Sequence, residues 1–404
     1  MNSIPEIILS ALDQTPVEEQ RAELVERKGV GHPDSICDAV MEEVALGLCR
    51  EYQAAFGHIL HFNVDKCLLV AGRTEPSLGG GAVIKPMRLI FGDRATAESA
   101  GKRIDIDAIA ESSAKSWLRR HLRFVDPEKH VIIQNEMSEG SPELTGIFRR
   151  PKIGANDTSA TIGYAPLSET ERIVLACEKY LNSPVCKQRF PEAGEDVKVM
   201  GYRCGRGLEL TVALAFVDRF IPAAEEYFAR KQEIAAALEE HLRPKMRTLD
   251  RLGVTINALD DPGRGAEGMY LTVLGTSAEG GDCGQVGRGN KVNGLISLNR
   301  PIGTEAVAGK NPVSHVGKIY TLLSHELAAT IQKSVPGIRE IYVWLGSQIG
   351  QPIDQPAMVL TNVILSPGCA LVDVQSDVEW HIRQALATIP EFTTRLIRGE
   401  FPVC

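Results

Sequence analysis

GGDCGQVGRGNKV (residues 280–292) and GTEAVAGKNPVSHVGKIY (residues 303–320) carry the chain from glycine-rich loop into helix. Val316, Ile319, Tyr320, Leu323, Leu327 and Ile331 recur at helical spacing. Lys310 and the NPVSH turn therefore stand at a helix N-terminus, where the dipole and free amides favour negative charge. Glycine lets backbone N–H groups approach an anion closely, and Arg288, Lys291, Lys310 and Lys318 are spaced to surround a polyphosphate. The segment is not an ordinary nucleotide P-loop, because Asn311 occupies the place of the magnesium-binding hydroxyl. The competing reading is a glycine-rich surface hairpin with solvated lysines.

Outward from this stretch, strand and helix patterns alternate. Strands are expected at Ile59–Gly72, His130–Met137, Gly207–Val217, Met269–Gly275, Ile341–Leu345 and Met358–Leu365. Helices are expected at Asp34–Tyr52, Ile106–Leu122, Glu169–Leu181, Pro222–Leu242, Ser314–Ser334 and Asp377–Leu386, with Pro222 in a first turn. This succession indicates layered α/β or α+β domains. Turn-rich segments near Asp126–Lys129 and Asp260–Gly268 suggest junctions, giving an N-terminal domain over 1–125, a middle domain over 126–255 and a C-terminal domain over 256–404, interleaved at their edges. The sequence shows no obvious internal repeat.

With 404 residues, 44% of them hydrophobic and 24% charged, the chain has room for two or three ordinary folded domains. The net charge of −8 argues against general nucleic-acid binding while leaving room for a local cationic pocket. No run reaches membrane-spanning length and the N-terminus lacks a signal-peptide layout, so a cytoplasmic protein is expected. Nine cysteines without a C-x-x-C pair fit reduced thiols better than zinc or a disulfide framework, and Cys283 reads as a small filler.

A second constellation is VERKGVGHPDSICDAV, residues 25–40. Gly31 and Pro33 hold His32 in a tight turn, and Asp34 and Asp38 lie four apart on one helix face. This is either a capped helix or an imidazole placed beside a magnesium carboxylate.

Together with GANDTSATIGYAPLSETER (154–172), GEDVKVMG (194–201), HFNVDKCLLVAGR (61–73), GTSAE (275–279) and SQIGQPI (347–353), these segments resemble methionine adenosyltransferase, also called S-adenosylmethionine synthetase, in its archaeal-type branch. The resemblance runs in one order from about residue 20 to 390. It implies three similar domains of α+β (mixed α/β) class, each a mixed sheet with helices on one face, around a pseudo-threefold axis. It also implies synthesis of S-adenosyl-L-methionine from ATP and L-methionine. The methionine sulfur attacks ribose C5′ and displaces tripolyphosphate, which is hydrolysed to phosphate and pyrophosphate. Magnesium is the implied metal, with potassium left open, and the implied assembly is a homodimer with the site between subunits, or a tetramer.

By the same resemblance, His32 hydrogen-bonds the triphosphate beside the ribose, and Asp34 is a magnesium ligand. Glu26 matches a nucleotide- or metal-side carboxylate, and Asp157 an acid near the substrate pocket. Lys198, Arg288 and Lys310 match cations around the polyphosphate; Asp282 meets the methionine amino group or the nucleoside; Ile349 packs on adenine. His315 and Lys318 lie near a second basic site whose spacing differs from the bacterial branch. On residue type alone Lys198 would be a surface charge and Ile349 core, and Lys291 is read as a surface charge. His61, His121, His130, His241, His325 and His381 are read as surface or satisfied core histidines.

The chain departs from the pattern in EMSEGSPEL (136–144), where a glutamate stands for an arginine and only Glu143 keeps the carboxylate, and at Gly146, where an acid is common. Ser35 and Gly289 stand where the bacterial branch carries lysines. A relative using another thioether, or a non-catalytic nucleotide-binding regulator, are the alternatives; the intact set His32, Asp34, Asp282, Arg288 and Lys310 favours catalysis.

Overall fold

The structure is a computed structural model that describes residues 6–140, 148 and 154–404, so Glu143, Leu144 and Gly146 lie outside the described residues. Three large sheets form, each over its own hydrophobic core, together with two short ribbons.

One topological order recurs. Helix Pro33–Phe56 leads to strands Phe62–Val70 and Met87–Ala95, helix Ile106–His121 and strand Val131–Asn135. Helix Glu169–Leu181 likewise leads to strands Ala193–Cys204 and Gly207–Val217, helix Ala224–Leu242 and strand Arg251–Ile256. Helix Val316–Ser334 leads to strands Ile338–Gly346 and Met358–Leu365 and helix Leu371–Ala387. In each, the two middle strands pair antiparallel and the second takes a parallel neighbour. In the third, that neighbour is Ile7–Ala11, from the other end of the chain.

The remaining strands are exchanged between sheets. Ala22–Lys28, which precedes the first helix, pairs with Ala193–Cys204 in the second sheet. Ala160–Ala165, before helix Glu169–Leu181, pairs with Ile338–Gly346 in the third, and Gly284–Gln285 pairs with Phe62–Val70 in the first. The exchange is what brings the motifs together.

Helices cover one face of each sheet. In Gly207–Val217, buried Leu208, Leu210, Val212 and Leu214 alternate with outward residues, the period of a strand buried on one face. Helix Glu169–Leu181 starts with a capping box between Ser168 and Glu171, and helix Pro33–Phe56 stops at Gly57 in the left-handed conformation (φ 77°). The opposite sheet faces leave Ile8, Leu24, Ile132, Tyr202 and Leu298 exposed.

Three expected elements differ. Met269–Gly275 shrinks to Leu271–Thr272, because the Glu279 carboxylate takes the Val273 and Leu274 amides that a longer strand would use. Pro222 precedes its helix, whose N-cap is Ala223. Helix Leu371–Ala387 starts earlier than the pattern around Asp377 suggests.

Candidate active site

The GVGHPD turn follows strand Ala22–Lys28 and lies flat on strand Ala193–Cys204. The Gly29 amide donates to Val197 O (2.6 Å) and the Gly31 amide to Glu195 O (3.0 Å). A Cβ at Gly31 would overlap the backbone of Glu195 and Asp196, so only glycine permits this approach. Asp196 and Lys198 thereby come beside His32.

His32 caps helix Pro33–Phe56: its Nδ1 accepts the Asp34 amide at 3.2 Å. An accepting Nδ1 places the ring proton on Nε2. Burial pulls the imidazole down to about 4, with Lys28 and Lys198 adding to the shift against Asp34 and Asp282, so the ring is a neutral donor at physiological pH. Asp34 accepts the Gln285 amide on Oδ1 (2.9 Å) and Lys28 Nζ on Oδ2 (3.0 Å). Lys28 Nζ also donates to Arg288 O (2.6 Å), and Lys198 Nζ lies 3.6 Å from Glu26. Burial pushes Asp196 up to about 6, against hydrogen bonds from the Ser277 amide and hydroxyl. Asp282 and Arg288 are exposed on the glycine loop, and the Arg288 guanidinium has no hydrogen bond or ion pair among the described residues.

Asp34, Asp38 and Glu42 form one stripe along this helix, at successive four-residue steps. Asp38 accepts the Gly287 amide (2.8 Å); Glu42 accepts the Gly309 amide (3.0 Å) and holds Lys318 Nζ at 2.6 Å. Several amides expected to face polyphosphate are thus engaged by helix carboxylates. Gly289 packs so closely that a Cβ there would overlap Asp38 Oδ2.

Burial pushes Asp38 up to about 7, and Asp34 repels it further, although the Gly287 and Gly289 amides favour its anion. The native carboxyl then keeps a proton that the unfolded chain releases near the ordinary 3.8, so stability from this group falls as pH rises between those values. Asp38→Asn keeps an acceptor for Gly287 and removes the titration. Its unfolding free energy relative to wild type is expected to rise between pH 4 and pH 8 by on the order of 2–4 kcal/mol in denaturant titrations. A pH-independent difference would contradict the buried carboxyl.

A second grouping surrounds helix Val316–Ser334. Its N-cap is also a histidine: His315 Nδ1 accepts the Gly317 amide (3.2 Å), and burial, with Lys310 nearby, pulls the ring down to about 3. Lys310 is buried, with Nζ 2.5 Å from Asp65 and 3.3 Å from Glu305. Against the pull of burial, Lys310 and Lys66 hold Asp65 well below the carboxylate range. Lys318 is also buried and donates to Lys310 O (3.0 Å). Ser347 Oγ donates to Asp157 O (3.0 Å) and the Ile349 amide to Thr158 Oγ1 (3.0 Å), while Ser159 Oγ reaches Glu305 (2.5 Å). Ile349 is 53% exposed.

The expected residues therefore fall into two sets. Glu26, His32, Asp34, Lys198, Asp282 and Arg288 gather around the first histidine cap; Asp157, His315, Lys310, Lys318 and Ile349 gather around the second. The carboxylate stripe links them. Sequence reasoning passed over Lys28, Asp196, Glu42, Asp65 and Glu305, although all but Glu42 lie inside stretches it singled out. His61, read as a surface or satisfied core histidine, is buried, and neither ring nitrogen has a hydrogen-bond partner among the described residues.

Among the described residues, no group of three or more His, Cys, Asp or Glu is arranged to hold a metal. A magnesium ion takes one or two carboxylates and completes its shell with substrate phosphates and water, and Asp34, whose oxygens here accept Gln285 N and Lys28 Nζ, is a carboxylate beside His32 that could serve it.

The sequence profile of the S-adenosylmethionine synthetase (AdoMet synthetase) family matches residues 5–400. The chain belongs to this family. It is 44% identical over 397 residues to the S-adenosylmethionine synthase of Methanothermobacter thermautotrophicus, covering 98% of each chain. Identity is also 44% to that of Pyrococcus furiosus over 401 residues and to that of Aeropyrum pernix over 404, each covering 98% of this chain and 99% of the relative. These archaeal relatives agree with the archaeal-type motifs. A solved structure, described as an unusual S-adenosylmethionine synthetase from Campylobacter jejuni, shares the fold with TM-score 0.61 at 16% identity, over 93% of this chain and all of that one. As a synthetase of this family the chain is an enzyme, a methionine adenosyltransferase, whose activity is S-adenosylmethionine synthesis. Divalent metal generally goes with the family. No helix of the described residues is long and apolar enough to cross a membrane.

Proposed function

We propose that the synthetase joins ATP to L-methionine by attack of the thioether sulfur on ribose C5′, releasing tripolyphosphate that it then hydrolyses to phosphate and pyrophosphate. The observation that carries this is the first histidine cap: a neutral imidazole with its proton on Nε2, ringed by Asp34, Lys28, Lys198 and Asp282. A thioether needs no general base, so rate must come from alignment and from stabilising the leaving group. His32 Nε2–H donates to the oxygen that gathers charge as the C5′–O bond breaks. Lys198, Arg288 and Lys310 bind the remaining phosphate charge. Asp282 holds the methionine ammonium or the nucleoside, Glu26 is a nucleotide- or metal-side carboxylate, Asp157 borders the substrate pocket, His315 and Lys318 lie at the second basic site, and Ile349 packs on adenine. Asp34 would hold magnesium, which when bound supplies charge neutralisation of the polyphosphate.

Because the two residue sets surround different helix N-termini, we read the working unit as a homodimer whose site draws one set from each subunit. The exposed apolar faces of the sheets support such pairing. In this reading each sheet with its core is one of three interleaved domains around a pseudo-threefold axis, and the enzyme acts in the cytoplasm. Lys310→Met and His32→Ala should each lower S-adenosylmethionine formation from ATP, methionine and magnesium by about 100-fold or more. A purified mixed dimer of the two variants keeps one intact site and should regain about half of wild-type activity. A mixed dimer as inactive as its parents would contradict the shared site.

A further inference from the structure

We propose that Lys28 is a further catalytic residue of this site: its ammonium contacts the departing triphosphate next to His32. The proposal rests on the function just inferred and assigns a role to a cation that the motifs did not single out.

The geometry is that of a group built into place. The Lys28 amide donates to Asn290 Oδ1 (2.9 Å), and its carbonyl accepts Asn290 Nδ2 (2.7 Å), so one side chain of the glycine loop grips both backbone groups. The lysine side chain is only 12% exposed. An ammonium has three donors. Among the described residues two are used, on Asp34 Oδ2 (3.0 Å) and Arg288 O (2.6 Å), while Glu26, at 3.8 Å, is too distant for a hydrogen bond. The third is left for an oxyanion. Both bonded partners belong to the proposed triphosphate site, and Lys28 is among the charges that act directly on His32.

The other cations are placed differently. Lys310 and Lys318 are buried against carboxylates, Arg288 is exposed and unrestrained, and the Lys198 side chain is 44% exposed. Ser35 turns its hydroxyl toward Lys28 O (3.4 Å), and Gly289 brings no side chain to the site. Near His32, Lys28 is thus the positive charge fixed before substrate arrives, the arrangement that stabilises developing charge without reorganisation.

The test uses full-length Lys28→Met and Lys28→Arg, with turnover, the KM for methionine, melting temperature and calorimetric affinity for free tripolyphosphate as readouts. Lys28→Met is expected to lower kcat about 100-fold. It should also weaken tripolyphosphate about 10-fold or more, with the methionine KM and melting temperature close to wild type. Lys28→Arg should recover part of the tripolyphosphate affinity, because it keeps the charge. Wild-type turnover and tripolyphosphate affinity in Lys28→Met would overturn the proposal. So would equal losses for methionine and tripolyphosphate that arginine does not repair, since these mark a lysine that only holds Asp34 and the loop. Absence of S-adenosylmethionine from the wild type would instead overturn the function on which the proposal rests.

Discussion

His32→Ala is expected to lower kcat by about 100- to 1000-fold at saturating ATP and methionine, the scale of losing one preorganised donor to developing charge. Alanine also removes the helix cap, costing about 1 kcal/mol, so a fall in rate alone would not separate the two roles. Asparagine does. Its side-chain oxygen can accept the Asp34 amide as the imidazole does, but it has no donor at the position of Nε2. His32→Asn should therefore recover the melting temperature while turnover stays low. A variant with restored rate would show His32 to be a cap and nothing more. Because burial holds the ring neutral down to about 4, titration of this group should leave the wild-type rate unchanged between pH 5.5 and pH 8.

The second large effect concerns stability. Arg300 has a side chain 1% exposed, between Glu171 (3.1 Å) and Glu340 (2.8 Å), with further bonds to Tyr342 and the Pro166 carbonyl. It ties helix Glu169–Leu181 of the second sheet to strand Ile338–Gly346 of the third. Arg300→Met leaves two buried carboxylates without their cation, a loss of about 3–5 kcal/mol. Denaturant unfolding should show it as a lower midpoint. A difference below about 1 kcal/mol would mean that the pair is dispensable.

How far the sequence carried can be seen in particular strands. Gly207–Val217 and Met358–Leu365 were legible because apolar residues there follow strand patterns. Ala22–Lys28 and Ala193–Cys204 were not, because charged Glu23, Glu195 and Arg203 occupy the buried phase that Val25, Val197 and Val199 mark. The threefold recurrence of helix–strand–strand–helix was hidden for another reason: strands are exchanged between sheets, so no contiguous stretch contains one whole sheet. Candidate residues came mainly from motifs, which marked His32, Asp34, Asp282, Arg288 and Lys310. Two of the ion-pair partners were not legible, since Asp65 and Glu42 lie far from Lys310 and Lys318 in sequence and meet them only in the fold, whereas Glu305 stands five residues before Lys310.

In the proposed reaction charge leaves C5′ as an intact triphosphate. The direct test is a product analysis with ATP, L-methionine and magnesium, with and without potassium and with larger thioethers in parallel. S-adenosylmethionine is expected with phosphate and pyrophosphate in equal amounts, and no ADP or AMP. Formation of ADP or AMP, or no S-adenosylmethionine under any of these conditions, would contradict it.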